Sequence, residues 1–147
     1  MLFRSLEVKV EKNGILVIDD YGNHPTEIKT TLQALGSCWP DKRKAVVFQP
    51  HRYSRTKALF DDFVRSFYQS DILVILPVYA AGEQPILGIG GQSLCEAVRS
   101  HGHKDVVYKN GIKEAVSYLR EKLEANDLLL TLGAGDVWKT GEEFLAN

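Results

Sequence analysis

Apolar and polar residues alternate with two different periods along this chain. Residues 6–11, Leu-Glu-Val-Lys-Val-Glu, switch at every step, which is the period of a half-exposed strand. Asn13-Gly14 then separates them from an unbroken apolar run at 15–18, which suits a strand covered on both faces. The pair reads as a hairpin with one edge strand and one core strand. From there one pattern recurs: a short run rich in Val, Ile or Leu, a polar loop, then an amphipathic stretch. The runs lie at 15–18, 45–48, 72–76, 106–108 and 128–132, and helices are expected at 26–35, 56–69, 91–100, 112–124 and 136–145.

Such βα alternation predicts an α/β, Rossmann-like three-layer domain with a mostly parallel sheet of about six strands and one antiparallel edge strand. In the second helix, Leu59, Phe60, Phe63, Val64 and Phe67 share one face and are expected in the core, with Asp61, Asp62 and Arg65 turned outward. Gly36 and Gly102 follow helical stretches, where a left-handed residue commonly closes the last turn. No repeat, low-complexity tract or linker divides the chain, so residues 1–147 are expected to form one domain.

Composition narrows the function. With 147 residues, 44% hydrophobic and 25% charged, the chain is an ordinary globular one. A net charge of -1 provides no overall positive field to gather a phosphate backbone, so no nucleic-acid partner is expected. Cys38 and Cys95 form no Cys-x-x-Cys pair and are expected to be reduced core residues. The longest apolar stretch, 72–81, falls short of the roughly 20 residues that span a bilayer, and residues 1–4 do not open a signal peptide. A cytoplasmic location without membrane contact is expected.

In open parallel sheets, ligands bind outside the carboxyl ends of the strands. Chemically expensive residues collect there: Asp19 to His24 after the first run, Gln49 to Arg55 after the second, Tyr79 to Glu83 after the third and Gly133 to Asp136 after the last. The return loops at 37–44 and 124–127 look plainer. His51, Arg52 and Arg55 place up to three positive groups just before a helix, where free amides add to the attraction for an anion. Asp19 and Asp20 could hold a cation, accept hydrogen bonds from a ribose or amine, or simply cap the helix. Pro25 and Glu27 suit a helix start, while Tyr21 and His24 are candidates for ligand contact. Gly133-Ala134-Gly135 would suit either an anion nest or a tight strand-to-helix turn. There is no phosphate-binding Gly-x-x-x-x-Gly-Lys-Ser/Thr loop, no Gly-x-Ser-x-Gly elbow, and no His-Glu-x-x-His zinc helix.

Four segments together resemble the C-terminal domain of the Mur ligases: Asp19-Asp20-Tyr21-Gly22-Asn23-His24-Pro25-Thr26-Glu27-Ile28, Phe48-Gln49-Pro50-His51-Arg52-Tyr53-Ser54-Arg55-Thr56, Val78-Tyr79-Ala80-Ala81-Gly82-Glu83, and Leu132-Gly133-Ala134-Gly135-Asp136. The His-Arg-Tyr-Ser-Arg loop resembles most the branch that adds L-alanine. The resemblance implies an ATP-dependent ligase joining L-alanine to UDP-N-acetylmuramate through an acyl phosphate in peptidoglycan synthesis, and hence a part in cell-wall formation, cell shape and division. It further implies that this chain is the amino-acid-binding domain alone. The UDP-sugar domain and the central domain that holds ATP and Mg2+ would lie outside it, leaving the isolated domain inactive and without a metal of its own.

By the same resemblance, Arg52 and Arg55 would grip the alanine carboxylate, Tyr21, Asn23 and His24 would line the cleft, and His51 would help position substrate. Asp20, Tyr79, Glu83, Gly133 and Gly135 would be nucleotide or cleft contacts. Relatives commonly carry two successive histidines where this chain has Asn23-His24, and asparagine hydrogen-bonds without taking a charge. Two other classes remain for comparison: a free-standing nucleotide-binding domain, and a receiver-like signalling module built on Asp19-Asp20. A receiver would also need an aspartate after its third strand and a lysine after its last, where this chain has Leu76-Pro77 and Gly133-Ala134.

Overall fold

The computed structural model describes residues 6–146, with side chains from residue 11 onward. The expectations placed on residues 1–4 and on the alternating side chains of residues 6–10 lie outside the described residues. Strand β1 (Leu6–Lys12) pairs antiparallel with β2 (Ile15–Asp20). At the turn between them Asn13 has φ 54° and Gly14 φ 80°, the paired left-handed conformation that keeps a two-residue hairpin in step with the strand twist.

Helix α1 (Pro25–Cys38) follows, then β3 (Lys44–Phe48), α2 (Tyr53–Ala58), α3 (Phe60–Val64), β4 (Ile72–Ile75), α4 (Gly91–Ser100), β5 (Val106–Tyr108), α5 (Ile112–Lys122), β6 (Leu128–Leu132) and α6 (Trp138–Ala146). The strands lie in the order β1-β2-β6-β3-β4-β5, parallel except for the first pair. This is the α/β sheet of six strands that the sequence predicts, with its antiparallel edge.

Alternate residues of each strand face opposite sides. Val46, Phe48, Leu73 and Ile75 meet Ile28 and Leu32 of α1, Phe63 of α3 and Leu94 of α4. Ala45, Val47, Val74 and Leu129 meet Ala115 and Leu119 of α5 and Phe144 of α6 on the other side. The loop after β3 therefore leads to one face, while the loop after the neighbouring β6 leads to the other. That divergence opens a crevice at the carboxyl ends of β3 and β6, where doubly wound sheets bind ligands.

Several boundaries differ from expectation. The helix expected at 56–69 starts at Tyr53, breaks at Leu59 (φ −113°, ψ 19°) and ends at Val64. Thr56 Oγ1 donates back to the Arg52 carbonyl at 2.7 Å and Ser66 Oγ to the Asp62 carbonyl at 2.7 Å, bonds that bend and close helical turns. Its apolar face is nonetheless in the core as expected. Gly36 lies inside α1 rather than closing it, whereas Gly102 does take a left-handed φ of 115°. The last helix begins at Trp138, two residues later than expected. Cys95 is buried, but Cys38 is exposed at the end of α1 and is not a core residue.

Candidate functional site

At the end of β2, Asp20 turns inward and is only 1% exposed. One of its oxygens accepts the Gly22 N–H at 2.9 Å and the other the Thr31 hydroxyl at 2.7 Å, so both are spent on shaping the turn. Asp20 is thus buried at the turn, with each oxygen engaged by its own chain. Asp19 accepts the Thr131 hydroxyl at 2.5 Å from the adjacent β6. Tyr21, in contrast, is 65% exposed at the rim.

His24 caps α1. Its Nδ1 accepts the Thr26 N–H at 3.1 Å, while Glu27 Oε1 accepts the N–H groups of Asn23 at 2.9 Å and His24 at 3.0 Å. This reciprocal box satisfies donors that a helix start leaves open. Those bonds, His24 first, hold the Glu27 carboxyl below its ordinary value, with a further contribution from Arg55. With Nδ1 engaged in the cap, Nε2 is the ring nitrogen of His24 left for other contacts.

After β3 the chain pairs with the segment after β4 through a single parallel rung. Tyr79 N–H donates to the Pro50 carbonyl and Arg52 N–H to the Tyr79 carbonyl, both at 2.8 Å. The His51 and Tyr79 rings stack at 5.7 Å, 11° from parallel. Burial, then the charges of Arg52 and Arg55, hold the His51 imidazole below its ordinary value. Arg52 caps α2 with φ 71° and no side-chain bond to the helix. Arg55 follows one turn later; its Nε is buried without a protein partner. An unmet buried donor costs roughly 1–3 kcal/mol.

Across the crevice, Gln49 Nε2 donates to Asp136 Oδ1 at 2.8 Å and Asp136 N–H donates to Gln49 Oε1 at 3.1 Å. The Tyr79 ring lies so close to Gly135 that a Cβ there would come within 2.6 Å of it. Gly133, with φ 152°, leaves only 3.0 Å between such a Cβ and the Gln49 carbonyl. These glycines serve a tight turn and close packing. Beside them a cleft of about 410 Å³ is lined by Tyr79, Asn110, Lys113 and Asp136 among others.

Of the residues expected at the site, Tyr21, Asn23, His24, His51, Arg52 and Arg55 remain at the strand-end surface. Glu83 binds the start of α2. Gln49, Ser54 and Asp136 lie in the strand-end loops expected from sequence, and the structure gives them specific partners. The polar Gln49 directly follows the apolar run Ala45 to Phe48 of β3. The opposite edge is richer than expected, for Tyr68 Oη lies 3.0 Å from His101 Nε2 and His103 bonds Ser70 there. Among the described residues no three His, Cys, Asp or Glu side chains gather as metal ligands would. No helix there is long and apolar enough to cross a membrane.

The sheet order and the loops at its carboxyl edge define a doubly wound α/β domain without a phosphate loop. The chain belongs to the Mur ligase family: residues 6–135 match the family described as "Mur ligase, glutamate ligase domain". It is 63% identical over 143 residues to the UDP-N-acetylmuramate–L-alanine ligase of Desulfosudis oleivorans, covering 97% of this chain and 31% of that protein. It is 60% identical over 142 residues to the ligase of the same name from Desulforapulum autotrophicum, covering 97% and 31%. The chain thus spans about a third of the length of these relatives.

In fold it is similar to the crystal structure of the UDP-N-acetylmuramate–alanine ligase of Thermotoga maritima, with a TM-score of 0.75 at 24% identity, covering 94% of this chain and 28% of that one. It is also similar to the murein peptide ligase of Psychrobacter arcticus, with a TM-score of 0.79 at 18% identity, covering 97% and 29%. Neither a receiver module nor a free-standing nucleotide-binding domain is favoured by these similarities.

Proposed function

We propose that this chain supplies the amino-acid-binding domain of a bacterial, cytoplasmic, ATP-dependent ligase that joins L-alanine to UDP-N-acetylmuramate in peptidoglycan synthesis. The observation carrying this function is the pair Arg52 and Arg55 at the start of α2, with a buried Arg55 Nε that lacks a protein partner. The sequence identity to alanine-adding ligases over 97% of the chain supports it.

The amino acid enters carboxylate first. Arg52 and Arg55 grip that carboxylate, each charge-assisted bond being worth roughly 1.5–3 kcal/mol. Tyr21, Asn23 and the Nε2 face of His24 line the side where the amine sits, and His51 packs behind the clamp. Asn23 contributes hydrogen bonds and no charge. With its carboxylate held, the amine is directed at the acyl phosphate formed from ATP and the sugar-nucleotide carboxylate. The new amide bond forms as phosphate leaves, and the domain's part is orientation. ATP, Mg2+ and UDP-N-acetylmuramate are assigned to the two thirds of the ligase outside this chain. Gln49, Tyr79, Gly133 and Gly135 build the cleft wall.

The test is a ligase in which this chain replaces the matching segment of the Desulfosudis oleivorans enzyme, assayed for alanine-dependent phosphate release. Replacing Arg52 and Arg55 together by alanine is expected to raise KM for L-alanine on the order of 100-fold or more. Full activity of that double variant at low alanine would refute the clamp.

A further inference from the structure

Helix α2 begins without a cap from its own segment. Its N-cap, Arg52, holds φ 71°, a left-handed value that costs a non-glycine residue roughly 1 kcal/mol or more, and makes no side-chain bond to the helix. The missing cap arrives from another loop. After the rung at Tyr79 the chain turns back through Ala81 (φ 51°) and Gly82 (φ 88°), closed by Glu83 N–H donating to the Ala80 carbonyl at 3.0 Å. This turn delivers the Glu83 carboxylate onto the first turn of α2. Oε1 accepts the Ser54 N–H at 3.0 Å and Oε2 accepts the Ser54 hydroxyl at 2.5 Å.

We infer that Glu83 is a positioning residue for the amino-acid carboxylate, holding the first turn of α2 so that Arg52 and Arg55 converge on one anion. This inference rests on the clamp proposed above. Two fixed points bracket Arg52: its own N–H is tied to Tyr79, and two residues later Ser54 is tied to Glu83. Without the second tie, the first turn of α2 loses its cap and the strained Arg52 backbone can relax, carrying both guanidinium groups away from each other. Glu83 thus acts through the arginines and is not itself a contact to nucleotide. The Ser54 bonds hold its carboxyl below the ordinary range, so the tie persists through neutral and mildly acid conditions.

Two variants separate geometry from charge. Glu83→Gln keeps a two-point contact, its carbonyl accepting the Ser54 N–H and its amide donating to the hydroxyl, but removes the charge. Glu83→Ala removes both bonds. In this chain alone, Glu83→Ala is expected to speed hydrogen exchange of the Ser54 amide by about tenfold or more while β6 amides are unchanged, and Glu83→Gln to stay within about threefold. In the ligase carrying this chain, Glu83→Ala is expected to raise KM for L-alanine about tenfold with kcat and KM for ATP within about twofold. Glu83→Gln should remain near the parent, and Ser54→Ala, which loses only the hydroxyl bond, should fall between.

Unchanged Ser54 exchange in Glu83→Ala, or an unchanged alanine KM despite lost protection, would overturn the role of Glu83. So would a Glu83→Gln variant as impaired as Glu83→Ala, since charge alone would then matter. A parent ligase that does not use alanine would instead sink the proposed function, and the exchange data would still decide whether Glu83 holds α2.

Discussion

Gln49 and Asp136 exchange two hydrogen bonds across the carboxyl ends of β3 and β6, the side-chain amide donating at 2.8 Å and accepting at 3.1 Å. They bridge the point where one loop leaves toward each face of the sheet. Gln49 is 6% exposed, while Asp136 is half-buried beside the cleft. Gln49→Ala is expected to cost roughly 1–3 kcal/mol of stability in urea denaturation, because it strands an Asp136 N–H and an Oδ1. An unchanged midpoint would show that the bridge is dispensable.

Gly135 and Gly36 should respond oppositely to the same substitution. An added Cβ at Gly135 would meet Gln49 Oε1 and the Tyr79 ring at 2.6 Å, so Gly135→Ala must displace the crevice wall and is expected to lower stability by about 1–3 kcal/mol. At Gly36, inside α1, the added methyl meets nothing within 4 Å. Gly36→Ala is expected to raise stability by roughly 0.5–1 kcal/mol through lost unfolded-state entropy. Thermal melts of the two variants beside the parent check both signs.

His51 offers a reporter of the clamp's charge. Burial and the two arginines hold its imidazole below the ordinary 6.5, with Glu83 opposing. An NMR titration of the His51 ring should find a midpoint below that value. Replacing Arg52 and Arg55 together by alanine should move it upward, and no movement would mean that the guanidinium groups lie away from the ring.

At the opposite edge, His103 ties two loops together. Nδ1 accepts the Asp105 N–H at 3.1 Å and Nε2 lies 3.1 Å from the Ser70 carbonyl. Burial holds its imidazole below 6.5, against the opposing carboxylates of Asp105 and Asp71. The unfolded chain thus takes up this proton more readily. The His103 contribution is present above pH 6.5 and is lost as pH falls through the lower folded value. Between pH 8 and pH 5 the parent should lose more stability in urea than His103→Gln; equal losses would assign the acid sensitivity elsewhere.

Much of the site was legible because its cues are local. Asp19 to His24 and His51 to Arg55 could be placed at strand ends from the βα pattern, and Pro25 with Glu27 marked a helix start three residues long. Other residues carried no local cue. Nothing near Asp20 in sequence signals that its oxygens bond Gly22 and Thr31, the latter eleven positions on. The apolar period of 56–69 runs straight through Leu59, and nothing in it reveals the break there.

The amino-acid pattern by itself determined the element types, the hairpin, the α/β class and the cationic loop, since these follow from periods and turn preferences spanning a few residues. The tertiary structure alone decided the strand order, and with it every pairing between distant loops. Ser54 and Glu83 lie 29 positions apart and Gln49 and Asp136 lie 87 apart. Gln49 meets Asp136 because β6 inserts between β2 and β3, and Ser54 meets Glu83 because β4 pairs beside β3; no short-range period encodes where a crossover returns.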